Sequence, residues 1–294
     1  MIPAAFDYHS PQSLDEALSL LKEHAGSAKI LAGGQSLIPA MRFRLAVPSM
    51  LIDINRLDDL RYIEERGDHL AVGAMTLENS LEDSSVVRSS YPLLYDTAVV
   101  IADPLVRNMA TVGGNIAHAD PANDHPATML AYDATVVAKG PNGERTIPID
   151  DFFTGLFENA LGEDEILTEI RIPKPAANSG GAYIKMERKV GDYAISAAAV
   201  QLRLEGDTVK EARIGLTNVS AVPMRAKGAE AELVGKAASD AVLEAAGKAA
   251  AAECDPSADL RGSADYKRDL TRILVKRSIQ KAVARAKEIG RAHV

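Results

Sequence analysis

Apolar residues first recur at helical spacing at Ala17, Leu18, Leu20 and Leu21, directly after Ser13-Leu-Asp-Glu16. That tetrapeptide has the form of a capping box, so a helix is predicted to start there. A short apolar run, Lys29–Ala32, predicts a strand that ends at Gly33-Gly34. Ser36 is placed to cap a second helix, with Pro39 tolerated in its first turn, and Leu51–Ile54 predicts the next strand. Strand, glycine pair, helix, strand is the order of a small α/β subdomain. Leu60–Glu64 and His69–Val72 alternate in polarity about Arg66-Gly67-Asp68, the pattern of a hairpin. Further on, Leu93–Ile101 and Pro126–Ala134 predict buried helices. Thr135–Ala138 and Arg145–Ile149 predict strands about a Pro141-Asn142-Gly143 turn, and Glu165–Ile172 a strand stopped by Pro173 and Pro175.

Pro173–Gly181 is rich in Pro, Ala, Asn and Gly, and the pattern changes after it. Ala182–Arg188, Ala194–Leu204 and Thr208–Asn218 predict three consecutive strands, the last two joined by Glu205-Gly206-Asp207. Consecutive order with a tight turn favours an antiparallel sheet. Ala226–Leu233, Asp240–Glu253 and Asp265–Lys287 predict helices, the last with an apolar stripe of Tyr266, Leu270, Ile273, Leu274 and Ile279. The fold class expected is α+β. A two-part α/β domain covers 1–175, with subdomains of about 1–57 and 58–175, and 176–294 form a three-stranded antiparallel sheet with a helical bundle.

Composition changes this picture little but narrows the chemistry. The net charge is −8, which argues against nucleic acid as a partner. No apolar run reaches the ~20 residues of a membrane span, and the start lacks a basic, apolar leader, so a cytoplasmic protein without a transmembrane segment is expected. A lone Cys254 leaves no internal disulfide and no cysteine-held cluster. It is expected to be unreactive. Lys276, Arg277, Lys281, Arg285 and Lys287 on the final helix are expected to form a solvated face.

Two glycine pairs stand out, Ala32-Gly33-Gly34-Gln35-Ser36 and Thr111-Val-Gly113-Gly114-Asn115. Adjacent glycines permit positive φ and close backbone approach, and their N–H groups can form an anion-binding nest. Thr111, Asn115, Gln35 and Ser36 add side-chain donors, so one elongated ligand held at two points, such as a dinucleotide, is implied. The sequence has neither G-x-G-x-x-G nor a P-loop. The second pair lies within Asp103–Asn123, which by composition is a long loop expected to wrap a ligand. Asp124, at its end, can cap the following helix or contact that ligand. His118, Asp120, Asp124 and His125 are metal-ligating types in one stretch, but lack the helical H-x-x-x-H spacing, and no metal is expected.

With those two pairs, Met1-Ile2-Pro3, Asp103-Pro104, Arg107, Asp120-Pro121, Lys185, Gly191-Asp192-Tyr193 and Gly215–Arg225 fall in one order along most of the chain. This set resembles the FAD-binding medium subunit of molybdenum hydroxylases, the carbon monoxide dehydrogenase and xanthine dehydrogenase group, and is nearest the carbon monoxide dehydrogenase branch. The resemblance implies an FAD-binding domain of the vanillyl-alcohol-oxidase/PCMH type. It implies cofactor contacts from Ala32, Gly33, Gly34, Gln35, Ser36, Thr111, Gly113, Gly114, Asn115, Asp124, Lys185 and Tyr193. Asp124 would bond the flavin's sugar-like chain, and Lys185 and Tyr193 would lie near the isoalloxazine ring. Read as residues alone, Lys185 fits a solvated strand lysine and Tyr193 a packed aromatic.

The resemblance further implies a heteromeric oxidoreductase, a dimer of heterotrimers. A large partner carries the molybdenum cofactor and a small partner two [2Fe–2S] clusters. Electrons pass through FAD in this chain to an external acceptor such as a quinone, and the complex can sit peripherally at the inner face of the membrane. No catalytic acid, base or nucleophile is then needed here. The motif departs from carbon monoxide dehydrogenases at Gln35, where those carry His, so a flavin subunit acting on aldehydes, purines or N-heterocycles is the alternative. A stand-alone flavin oxidase and a non-redox nucleotide-binding module are further readings.

Overall fold

The computed structural model describes residues 2–292, with side chains to 288. Its first layer is a parallel sheet of β1 (Asp7–His9), β2 (Ala28–Leu31) and β3 (Met50–Asp53), in the order β1-β3-β2. Helix α1 (Leu14–Glu23) packs Ala17, Leu18 and Leu21 against Met50, Ile52 and Ile54. The capping box is half formed. Ser13 Oγ accepts from Glu16 N (3.2 Å), but the Glu16 carboxylate accepts from Gln12 N (2.8 Å) rather than from Ser13. β1 escapes sequence reading because all three of its residues are exposed, and parallel backbone pairing with Met50–Ile52 alone defines it. Helix α2 (Leu37–Arg42) follows the first glycine pair, and Ser36 makes no side-chain cap there.

The second layer begins with β4 (Ile63–Arg66) and β5 (His69–Gly73), then six helices: α3 (Glu78–Asp83), α4 (Ser85–Ser90), α5 (Pro92–Ala98), α6 (Pro104–Arg107), α7 (Val112–His118) and α8 (Asp124–Tyr132). Strands β6 (Thr135–Gly140) and β7 (Gly143–Pro148), a small hairpin of β8 (Phe153–Gly155) and β9 (Glu158–Asn159), and β10 (Ile166–Pro173) follow. The main sheet is antiparallel, in the order β4-β5-β10-β6-β7.

The stretch 103–123, expected as loop, holds α6 and α7 instead. Its start signals were present. Asp103 Oδ1 accepts from Val106 N (3.0 Å) with Pro104 at the first helical position, and Thr111 Oγ1 accepts from Gly114 N (3.1 Å). Composition outweighed them because Gly, Pro and Asn read as loop. The glycines stay in α7 because the helix lies against β5, where a Cβ on Gly113 would sit 2.6 Å from Ala74 O.

The third layer is an antiparallel sheet of β11 (Ser179–Met186), β12 (Ser196–Glu205), β13 (Thr208–Thr217) and β14 (Met224–Arg225). It therefore has four strands, not three; β14 is two residues long, too short to show alternation. Helices α9 (Lys227–Leu233), α10 (Asp240–Glu253) and α11 (Ala264–Ala292) complete the chain. Tyr266 of the expected stripe is exposed, and Leu270, Leu274, Val275 and Ile279 do the packing. Among the described residues no helix is long and apolar enough to cross a membrane.

This sheet is buried on both faces, which its alanines permit. Ala197 and Ala199 of β12 enter the core shared with α5 and α8, whereas Ala198 and Val200 enter the core under α10 and α11. A Cβ on Gly180 would lie 2.0 Å from Ala282 O of α11, and one on Gly215 would lie 2.0 Å from Ala127 O of α8. Of the basic residues of α11, Arg277, Lys281 and Lys287 are exposed, as a solvated face requires, and Lys276 and Arg285 are half-buried. Lys281 and Arg285 converge on Asp96 of α5 at 2.9 and 2.7 Å, and Tyr183 N donates to the same carboxylate at 3.2 Å. Cys254 is buried, its thiol pushed up to about 12, as suits an inert residue.

Gly215→Ala should force α8 off β13 and cost about 1–3 kcal/mol, the usual scale of overpacking. Urea unfolding measures this, and an unchanged midpoint would show that α8 yields freely.

Candidate functional site

The two glycine segments, seventy-odd residues apart, meet. A Cβ on Gly33 would lie 2.2 Å from Met109 O and 2.7 Å from Ala110 Cα, and one on Gly114 would lie 3.6 Å from Ala32 Cβ. Of the four glycines only Gly34 has positive φ (+74°). Gly33, Gly113 and Gly114 are required by close approach instead. The segments also differ in what they offer a ligand. Val112, Gly113, Gly114 and Asn115 spend their N–H groups on Thr76 O, Ala74 O, Thr111 Oγ1 and Thr111 O. The expected nest of amides is thus absent from the second segment. In the first, no acceptor among the described residues takes the N–H groups of Gly33, Gly34, Gln35 or Ser36, and the Gln35 side chain is exposed. Arg107, the cation close in sequence to the second segment, is buried and committed to Glu82 (3.1 Å) and Ile101 O (2.9 Å).

A buried network ties Asn115 to Asn123 and His125, the neighbours of Asp124. Glu78 Oε1 accepts from Asn115 Nδ2 (3.3 Å), while Glu78 Oε2 pairs with His125 Nε2 at 2.7 Å, both side chains fully buried. Asn123 Nδ2 donates to Asn115 O (3.1 Å). Sequence reasoning missed Glu78. It reaches the site because Leu77 bridges Thr111 across 34 positions, and no local pattern signals that. His118 faces elsewhere, stacked on Phe157 at 5.2 Å, with burial lowering its pKa.

Asp124 is not a helix cap: Asn123 holds the cap position, and Asp124 opens α8. Its carboxylate accepts from Tyr183 Oη (2.6 Å) and Lys185 Nζ (2.9 Å). Burial raises the Asp124 pKa, against the pull of Lys185 and Tyr183. The same burial, together with the Asp124 charge, drives the Tyr183 phenol well upward. The Lys185 side chain is only 2% exposed, so the solvated-strand reading fails; it also donates to Val100 O (3.0 Å) and lies 3.3 Å from Glu187.

Tyr193 follows a turn pinned in place. Gly191 has φ +85°, and a Cβ there would lie 3.0 Å from Ala102 O. Tyr193 is 42% exposed. Burial of its phenol raises the pKa, with Asp120 adding to the rise and Arg261 opposing it. Three contacts join expected residues across the chain: Gly33 abuts the segment before α7, Asn115 reaches His125 through Glu78, and Asp124 pairs with Lys185. Among the described residues no three His, Cys, Asp or Glu side chains are arranged to hold a metal.

Residues 4–175 match the family described as the FAD-binding domain in molybdopterin dehydrogenase, and residues 181–282 match the carbon monoxide dehydrogenase flavoprotein C-terminal domain. This chain belongs to that flavoprotein family. It is 48% identical to the carbon monoxide dehydrogenase medium chain of Hydrogenophaga pseudoflava, over 97% of this chain and 99% of that one. It is 37% identical to the 6-hydroxypseudooxynicotine dehydrogenase complex subunit alpha of Paenarthrobacter nicotinovorans, over 98% and 97%. The solved carbon monoxide dehydrogenase from Hydrogenophaga pseudoflava that lacks the Mo-pyranopterin moiety of its cofactor superposes with a TM-score of 0.95. That match has 50% identity and covers 97% of this chain and 99% of that one. This chain is therefore an α+β flavoprotein and an oxidoreductase subunit, with an N-terminal FAD-binding domain of the PCMH type.

Asp192, beside Tyr193, gives the site a pH signature. Arg261 first, then Arg188 and the Tyr193 N–H, hold its carboxyl down to about 2 from 3.8. A depressed folded pKa means stabilisation that is present above about 4 and lost as pH falls toward 2. The melting-temperature deficit of Asp192→Asn should therefore be full at pH 6 and shrink below pH 4. A deficit constant with pH would show that Asp192 acts through shape alone.

Proposed function

We propose that this chain is the flavin subunit of an aerobic carbon monoxide dehydrogenase. In this reading a small iron–sulfur subunit delivers electrons taken from substrate at a large molybdenum subunit. The observation that carries the reading on this chain is the uncommitted run of amides at Gly33–Ser36, pressed against the second glycine segment. Oriented N–H groups suit a pyrophosphate. The chain divides at 175/176, and FAD spans the junction. Ala32, Gly33, Gly34, Gln35 and Ser36 hold the pyrophosphate from one side. Thr111, Gly113, Gly114 and Asn115 form the packed wall opposite. Asp124 and Lys185 orient the sugar-like chain and the ring, and Tyr193 stands on the solvent side.

FAD, when bound, supplies the interchange between one-electron and two-electron transfer. The protein's part is to bind, orient and shield. The Asp124–Lys185–Tyr183 group places a fixed, dry charge pair where bulk water would otherwise fluctuate. The external acceptor is a small oxidant such as a quinone, the assembly is a dimer of heterotrimers, and the complex is cytoplasmic, with contact at the inner membrane face.

A second reading, supported by Gln35 and by the likeness to the 6-hydroxypseudooxynicotine dehydrogenase subunit, is a flavin subunit serving an N-heterocycle, aldehyde or purine dehydrogenase. Substrate is chosen in the molybdenum partner. Native mass analysis of the purified complex, with cluster reduction assayed under CO and then under N-heterocycles, separates the two. Cluster bleaching by CO supports the first, and bleaching only by a heterocycle overturns it.

Gly33→Val should push the two glycine segments apart. Displacement worth about 1–3 kcal/mol corresponds to roughly a 5- to 150-fold loss of FAD affinity in the assembled complex. Full 450 nm absorbance per complex would sink this placement. Asp124→Asn should lower flavin content more than Asp103→Ala does, since Asp103 is occupied in capping α6. Equal flavin content in the two variants would remove Asp124 from the site.

A further inference from the structure

The segment joining α10 to α11 contains a bracket of charges that serves no hydrophobic core. Lys267, in the first turn of α11, is 2% exposed and donates to Asp259 Oδ2 at 2.7 Å. Asp259 Oδ1 accepts from the backbone N–H groups of Arg261 (2.7 Å) and Gly262 (3.1 Å), which fixes the backbone that carries Arg261. Arg261 then reaches across to the Tyr193 turn. Its NH2 and Nε donate to Asp192 Oδ1 at 2.8 and 3.3 Å, and its guanidinium lies over the Tyr193 ring, 5.4 Å from the centroid.

The Tyr193 backbone has independent support. Gly191 abuts Ala102, Asp192 Oδ1 accepts from Tyr193 N (2.9 Å), and Asn218 Nδ2 donates to Ala194 O (2.7 Å). What these leave open is the rotamer of the half-exposed ring. Among the described residues, Arg261 is the cation placed on it. A planar guanidinium both stacks on an aromatic face and grips a carboxylate, which an ammonium cannot do at once.

We infer that Arg261 is a positioning residue for Tyr193, holding the ring in the orientation that governs access of the electron acceptor to the flavin. This rests on the reading of Tyr193 as a ring-side residue. Arg188 provides an internal control. It pairs with the other oxygen of Asp192, at 3.0 Å, and is not stacked on the ring.

The test uses the assembled complex carrying Arg261→Gln, Arg261→Lys, Arg188→Gln, Tyr193→Ala or the Arg261→Gln/Tyr193→Ala pair. Flavin content, flavin fluorescence and the rate of flavin reoxidation are measured. Arg261→Gln should keep its flavin and change fluorescence or reoxidation about two- to fivefold, the scale of one exposed cation–π contact. The change should run in the direction of Tyr193→Ala and add nothing in the Tyr193→Ala background. Arg188→Gln should match the parent. If Arg261→Gln fails to assemble, Arg261→Lys, which keeps the charge but not the stack, decides in the same way. Parental reoxidation and fluorescence in the Arg261 variant, a full effect persisting without Tyr193, or an equal effect from Arg188→Gln would each overturn the inference. A parental Tyr193→Ala complex would instead remove Tyr193 from the flavin. A changed Tyr193→Ala with a parental Arg261 variant sinks only the role of Arg261.

Discussion

The buried ion pair between Asp124 and Lys185 is the constraint on which the rest of the arrangement depends. Asp124 starts a helix that belongs to the N-terminal half, and Lys185 sits on a strand of the C-terminal sheet. Two ions removed from water at this depth are tolerated only if each is paired and hydrogen-bonded. Tyr183 supplies the second bond to the carboxylate, and Val100 O a second acceptor for the ammonium. Each partner therefore requires the other's half of the chain in place, and the helix, the strand and the 100–103 segment are located by one electrostatic condition. Apolar packing alone would tolerate small slips of α8 along the sheet. This pair does not.

The glycines illustrate a different economy. A doubled glycine suggests unusual φ, yet three of the four in the two motifs have ordinary backbone angles. Their absent side chains bring backbone against backbone: Gly33 onto Met109 and Ala110, Gly113 onto Ala74. The same device recurs at Gly180 and Gly215, where two helices press on opposite faces of one sheet. Close approach, rather than turn geometry, is the reason for glycine at these positions.

How much of this was legible follows from the range of each interaction. Most long elements could be read directly: α10 falls at its expected bounds, and the hairpin at Gly67 is where alternation put it. Elements of two or three residues, β1 and β14, could not be read, since they exist only through pairing with distant strands. The helix at Val112 was misread because composition was weighed above the caps at Asp103 and Thr111. Around the glycine segments and Asp124, the motif order pointed to the right stretches of chain, but Glu78 and Arg261 gave no signal. Each is an unremarkable charge until a bridge at Leu77 or the bracket at Asp259 brings it into place. Local spacing carries no record of such contacts.

The alternation along β12 has a consequence for how the chain can be divided. Ala197 and Ala199 complete one core while Ala198 and Val200 complete the other, so a single strand acts as a party wall between two rooms. Cutting the chain near residue 175 would strip that wall on one side and leave a flat, alanine-lined sheet face open to water. Although each half has its own family signature, neither is a freely separable building block. Recombination that exchanges one half between relatives must carry a matching wall, and drift in either core is answerable to the other through the same few methyl groups.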